Sequence, residues 1–209
     1  MNRSRRRVLG LLALAFVAHA AGAMAQPYPS RPVRLIIADA AGGAPDQLGR
    51  MLAQKLSDSM GQQVVVDNRP GAGGVLGAEL AAKSPPDGYT LLLTTTAIYA
   101  ILPNLRKNLP YDPVRDFAPL SRIATASNVL VVNNALPAKD VAELIRLAKE
   151  RPGVLNYASA GLGTPAHLAG EMLNLLADIK VTHVPYKGAA PALLDVIAGN
   201  AQYIITSPV

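Results

Sequence analysis

The stretch PVRLIIADAAGGAPDQLGRMLAQKLSDSMGQQVVVD, residues 32–67, decides the fold. Residues 33–38 are a short apolar run rich in branched side chains, closed by Pro32 before it and the Gly42–Gly43 pair after it, which predicts a buried strand. From Asp46 onward, Leu48, Met51, Leu52 and Leu56 recur at helical spacing, and Gly61 predicts the stop. Residues 64–67, VVVD, predict a second strand. Working outward, NRPGAGG (68–74) is a loop, VLGAELAAK (75–83) a second helix, PPDG (85–88) a turn and YTLLLTT (89–95) a third strand. Apolar strands alternating with helices imply a parallel sheet covered on both faces.

Residues 103–119, PNLRKNLPYDPVRDFAP, have no period and read as a long loop marking a boundary. Beyond it, APLSRIAT (118–125) and NVLVVN (128–133) predict two strands, and the alternating pattern resumes. In AKDVAELIRLAKERPG (138–153), Val141, Leu144, Ile145 and Ala148 define an apolar helix face that ends at Pro152–Gly153. LNYAS (155–159), VTHVPY (181–186) and AQYIIT (201–206) predict strands, with a helix over APALLDVIAG (190–199). The chain stops at SPV, directly after a strand, where a parallel sheet normally continues with a helix.

The formal net charge of +6 over 209 residues misleads. Arg3, Arg5, Arg6 and Arg7 precede the apolar run VLGLLALAFVA (8–18), and small residues ending in AMA at 23–25 follow. These are the charged region, apolar region and cleavage site of a secretory signal, predicted to be cut after Ala25. The run is short for a bilayer span, so an uncleaved anchor is the alternative reading. SRRRVL (4–9) leaves the twin-arginine route open. Removing four arginines lowers the charge to +2, which disfavours nucleic acid as a partner. The absence of tryptophan argues the same way, because single-stranded nucleic acid needs aromatic platforms. The absence of cysteine excludes disulfides, thiolate metal sites and thiol nucleophiles. The expected compartment is the periplasm.

Several sites compete. YASAG (157–161) lies between strand and helix as a nucleophile elbow does, but Tyr157 stands where that motif needs glycine. A secreted serine hydrolase using Ser159 with His183 is the alternative function. His167 and Glu171 share a helix face, yet zinc needs three or four ligands, and the other histidine of the mature chain, His183, brings no ligand pattern. No metal and no cofactor are expected. GAGGVLG (71–77) misses the dinucleotide fingerprint because Leu76 holds the third glycine's place. What survives is anion binding. AAGGAPD (40–46) and SAGLGTPA (159–166) each follow a strand, bring backbone close with glycines and open a helix, whose free N–H groups favour a negative guest. Thr164 suits the N-cap and Pro165 the first helical position.

The ordered set PSRPVRLI, GG with Asp46, VVVDNRPGAGG, PPDGYTLLL, LPYDPVRDFAPLS, LNYASAGLGTPAHLAGE and VTHVPYKGAAPALLDVIAG spans nearly all of the mature chain. It closely resembles the substrate-binding proteins of tripartite tricarboxylate transporters, the Bug-type receptors. The resemblance implies an α/β, two-lobed periplasmic-binding-protein type II-like fold with parallel-rich sheets flanked by helices, incomplete at the C-terminus by about a third of a full receptor. The expected division is a signal at 1–25, a first lobe at 26–123 and a second at 124–209. The implied role is a monomeric, non-catalytic receptor that captures a small organic carboxylate and delivers it to membrane permease subunits. Carried over by the resemblance, the ligand-binding residues are Gly42, Gly43 and Asp46, Thr94, Thr95 and Thr96, Ser159, Gly161, Gly163, Thr164 and His167, with Tyr186 and Lys187 from the VPYKG turn. The chain departs from the family pattern at Asp39, Ala40 and Ala41 before the glycine pair, at Ala44 and Pro45 after it, and at Thr206 and Ser207. A carboxylate at 39 would repel an anion or ask for a cationic group on it.

Overall fold

A computed structural model describes residues 27–208. The expected export signal lies outside the described residues. The chain divides after Ser30 into two units, Met1–Ser30 and Arg31–Val209, and the helices and strands among the described residues lie in the second.

The first sheet is three parallel strands in the order β2-β1-β3: β1 (Val33–Ile37), β2 (Val64–Asn68) and β3 (Thr90–Leu93). β1 is the central strand, and Val33, Ile36 and Ile37 are completely buried. Each such side chain contributes about 1.5–3 kcal/mol relative to exposure. Helix α1 (Ala44–Met60) covers one face, its Ala53 and Leu56 packing on Val33, Leu35 and Ile37. Gly61 ends it in the left-handed conformation, with its amide donating to the Ser57 carbonyl at 3.0 Å. Helix α2 (Val75–Ala82) covers the other face with Ala97, Ile98 and Leu102. Those last residues belong to a π-helical turn, Ala97–Ile101, and a short helix α3 (Leu102–Leu105). The long loop expected from residue 103 therefore starts inside a helix. The local sequence, with Pro103 in it, carries no helical period, and burial of Ile98 and Leu102 against Tyr111 supplies what periodicity does not signal.

The second sheet has the order β4-β7-β5-β6, from β4 (Val129–Val132), β5 (Asn156–Ser159), β6 (Thr182–Pro185) and β7 (Tyr203–Thr206). β5 pairs parallel with β6 and β7, while β4 runs antiparallel to β7 at the edge. Helices α4 (Val141–Glu150) and α5 (Pro165–Ala177) pack on the face that carries Tyr157 and Tyr203. Helix α6 (Ala189–Ala198) packs on the other face, against Ala158 and Ile204. α4 is capped by Asp140, which accepts from the Glu143 amide at 2.8 Å. It buries Leu144, Leu147 and Ala148. Val141, expected on that face, is 46% exposed. α5 comes so close to β5 that a Cβ on Gly170 would collide with the Tyr157 ring.

The strand expected at 118–125 is absent. Residues 118–128 carry no helix or strand and are exposed throughout. A strand needs a neighbour for its backbone hydrogen bonds, and none of the described strands pairs with this segment.

Candidate functional site

The carboxyl ends of the parallel strands in both sheets point at one crevice, as ligand sites do in open α/β folds. A cleft of about 100 Å³ lies there. The first sheet contributes Ala38 and Asp39 after β1, Gly71, Gly73 and Gly74 after β2, and Thr95 after β3. The second contributes Ala160 and Thr164–Ala166 after β5, Lys187–Ala189 after β6, and Thr206 and Ser207 after β7. Asn128 enters from the start of antiparallel β4, beside the end of β7.

The two sides touch through backbone. A Cβ on Gly161, whose φ is +131°, would lie 3.1 Å from the Gly73 amide nitrogen. A Cβ on Gly188, with φ at +145°, would lie 2.6 Å from Asp39 Oδ1. These are close approaches that a side chain would block. The turns at 42 and 161 lie outside the lining of the cleft, and each faces a different partner. Gly42 faces the start of α6, where its Cβ would sit 3.7 Å from Ala190, and Gly161 faces the loop after β2.

Of the residues expected from sequence, Thr95, Thr164 and Lys187 line the cleft. Gly42, Gly43 and Asp46 lie behind it. Asp46 is buried and accepts from the Gly42 amide at 2.9 Å, from Arg50 Nε at 3.0 Å and from Asn68 Nδ2 at 2.9 Å. Burial works to raise its pKa, but the bonds from Arg50, Gly42 and Asn68 outweigh it and hold the carboxyl below its ordinary value. The helix thus binds its own carboxylate. Thr94 and Thr96 flank Thr95 without lining the cleft, and Thr96 directly precedes the π-helical turn.

Ser159, Gly161, Gly163 and His167 form the layer beneath the α5 start. Thr164 Oγ1 donates to the Gly161 carbonyl at 2.7 Å and accepts from the His167 amide at 3.4 Å. The Gly163 amide donates to His167 Nδ1 at 3.2 Å. Ser159 is completely buried; its Oγ accepts from the Gly161 amide at 3.0 Å and lies 2.6 Å from His183 Nε2. The His183 ring packs between Tyr157, at 4.9 Å, and His167, at 4.3 Å. Burial, followed by the neighbouring His167, pushes its pKa down to about 4, so it is neutral near pH 7. Glu171 accepts from the Tyr157 hydroxyl at 2.7 Å. Among the described residues no three His, Cys, Asp or Glu side chains gather as a metal site.

Tyr186 turns away from the cleft. Its hydroxyl donates to Asp195 Oδ2 at 2.6 Å, and burial, with that bond, pushes its pKa up to about 12. Its neighbour Lys187 does line the cleft. Sequence reading missed the glycines after β2 and the Gly188–Ala189 start of α6. Both follow the pattern used for the other two loops, a strand, then glycine, then a helix.

Asp39 spans the crevice. Its Oδ1 accepts from the Ala40 amide at 2.7 Å and from the Ala189 amide, at the first residue of α6, at 3.3 Å. Burial raises its pKa, the two amides oppose that, and the charge of Asp46 adds to it.

Residues 48–209 match the tripartite tricarboxylate transporter family receptor. The chain is similar to the protein BugT of Bordetella pertussis, 40% identical over 200 residues that make up 95% of this chain and 61% of the relative. Among solved structures it superposes on a periplasmic transporter with a TM-score of 0.83 and 41% identity, covering 86% of this chain and 60% of that one. It superposes equally, at 0.83 and 39% identity with the same coverage, on R. palustris Rpa4515 with adipate. MatC (Rpa3494) from Rhodopseudomonas palustris with bound malate follows at a TM-score of 0.76 and 30% identity, covering 86% of this chain and 61% of that one. The chain spans about 60% of the length of the proteins it matches. With α/β sheets, a crevice between them and this agreement along the sequence, the chain belongs to the tripartite tricarboxylate transporter receptor family.

Proposed function

We propose that the chain is a periplasmic receptor that captures a small organic carboxylate between its two sheets and delivers it to the permease subunits of a tripartite tricarboxylate-type transporter. The observation that carries this reading is the crevice where backbone turns from both sheets converge and the start of α5 opens. Helix starts attract anions through free N–H groups and the helix dipole. The volume, about 100 Å³, is below the ~300–1,000 Å³ of drug-sized sites and suits a small solute. Adipate and malate in the related structures support the class of ligand. We assign ligand contact first to Thr95, Thr164 and the Gly73–Gly74 turn. The proposal includes export by the signal at 1–25, lobes at 26–123 and 124–209, and a monomer that performs no chemistry.

A thermal-shift screen of the chain against mono-, di- and tricarboxylates tests it. At least one acid should raise the melting temperature in a concentration-dependent way, and silence across the panel would overturn the reading.

A hydrolase is the second reading, favoured by the 2.6 Å contact between Ser159 and His183. Ser159 Oγ is sealed from solvent, however, and already serves the Gly161 backbone. A substrate carbonyl has no approach to it. We read the pair as a brace under the α5 start. Ester turnover that disappears in Ser159→Ala would reverse that assignment.

A further inference from the structure

We infer that Asp39 makes the cleft select a zwitterion, a carboxylate that also bears a cationic nitrogen, over a dianionic diacid. The inference rests on the carboxylate-receptor reading and narrows the ligand within it. Asp39 lines the cleft between the two sheets. One of its oxygens, Oδ1, is held by the amides of Ala40 and Ala189. The other, Oδ2, accepts no hydrogen bond from the described residues, and Asp39 forms no ion pair among them. The carboxylate is thus oriented by backbone and left with one oxygen for a donor on a guest.

Its position also removes an anion site. The first amide of α6 is the natural seat for one end of a diacid, and Asp39 Oδ1 occupies it at 3.3 Å. The start of α1 is likewise taken by Asp46. Of the starts of α1, α5 and α6, that of α5, with Thr164 and Ala166 on the cleft, is not taken by a carboxylate of the chain. A second negative group reaching Asp39 would meet a fixed like charge in a partly desolvated place, where repulsion is strong. An ammonium there would gain a charge-assisted hydrogen bond. The charged groups nearest the position are Asp46, which adds to the negative potential at Asp39, and Lys187, which lines the cleft outside ion-pair distance.

The test is calorimetric titration of the chain with length-matched pairs, γ-aminobutyrate against succinate and ε-aminocaproate against adipate, together with the α-amino acids. The amino member should bind at least about tenfold tighter than its diacid. Asp39→Asn, which keeps an oxygen for the Ala189 amide, should erase that preference and strengthen diacid binding. Diacids that bind the unaltered chain as well as or better than their amino partners overturn the inference while leaving the receptor reading intact. A preference that survives Asp39→Asn also overturns it. Failure of every carboxylate to bind overturns the receptor reading and this inference with it. The comparison within each pair uses the unaltered chain, so it holds whether or not the variant folds.

Discussion

At the start of α1 a carboxylate of the helix itself, Asp46, takes the Gly42 amide at 2.9 Å and is locked by Arg50 and Asn68. At the start of α5 a hydroxyl, Thr164, takes the His167 amide at 3.4 Å, and Thr164, Pro165 and Ala166 face the cleft. In sequence the two are alike: each follows a strand, carries two glycines and has a proline in the first turn. They differ at the third helical residue, where α1 has Asp46 and α5 has His167. An acid there folds back onto the helix start and satisfies it from within. A histidine there takes the corresponding amide, that of Gly163, through Nδ1 at 3.2 Å, but brings no negative charge to the helix start. Exposed amides therefore mark an anion site only where the helix has not supplied its own anion.

The sharpest way to break the contrast is Asp46→Ala. It deprives three donors of their acceptor in a buried place and should cost about 3 kcal/mol, read as a lower urea midpoint at neutral pH. A cost below about 1 kcal/mol would make the two starts equivalent. The folded-state pKa of Asp46 lies below its ordinary 3.8, so its contribution is present above that pH and lost as the pH falls below it.

The α5 side should answer to a different titration. His183 is held at about 4 against an ordinary 6.5, so the unfolded chain takes up its proton first. Stability should be complete above about pH 6.5 and fall by about 2 kcal/mol toward pH 4, allowing for partial solvent screening. Unfolding curves across that range should flatten in His183→Gln. An unchanged slope would remove His183 from the acid response of this layer.

Thr164→Ala sharpens the comparison with the smallest change. Loss of an N-cap hydroxyl costs about 1 kcal/mol, and Thr164→Ser should restore most of it. A loss as large as that of Asp46→Ala would mean that the cap carries more of the α5 start than a 3.4 Å bond suggests.

Much of the fold was legible along the chain. The strands at 33–37 and 64–68 and the helix between them follow from an apolar run, a helical period and Gly61. The segment over 97–105 was not legible, because its turn is held by Ile98, Leu102 and Tyr111 meeting across the chain. Residues 118–125 read as a strand on composition and lack a neighbour among the described strands. At the site, Thr95, Thr164 and Lys187 follow from sequence, whereas Gly73, Gly188 and Ala189 do not. Tyr186 was placed by its VPYKG motif, and its hydroxyl went to Asp195 instead.

The sequence by itself determined the class of fold and the family, since periodicity, glycine stops and an ordered set of motifs are all local signals. Only the tertiary structure decided which amides stay free, that Ser159 is sealed beneath α5, and that Asp39 reaches across to α6. Those outcomes depend on which groups far apart in the chain come within a few ångströms, and hydrogen bonds and charge act only at that range.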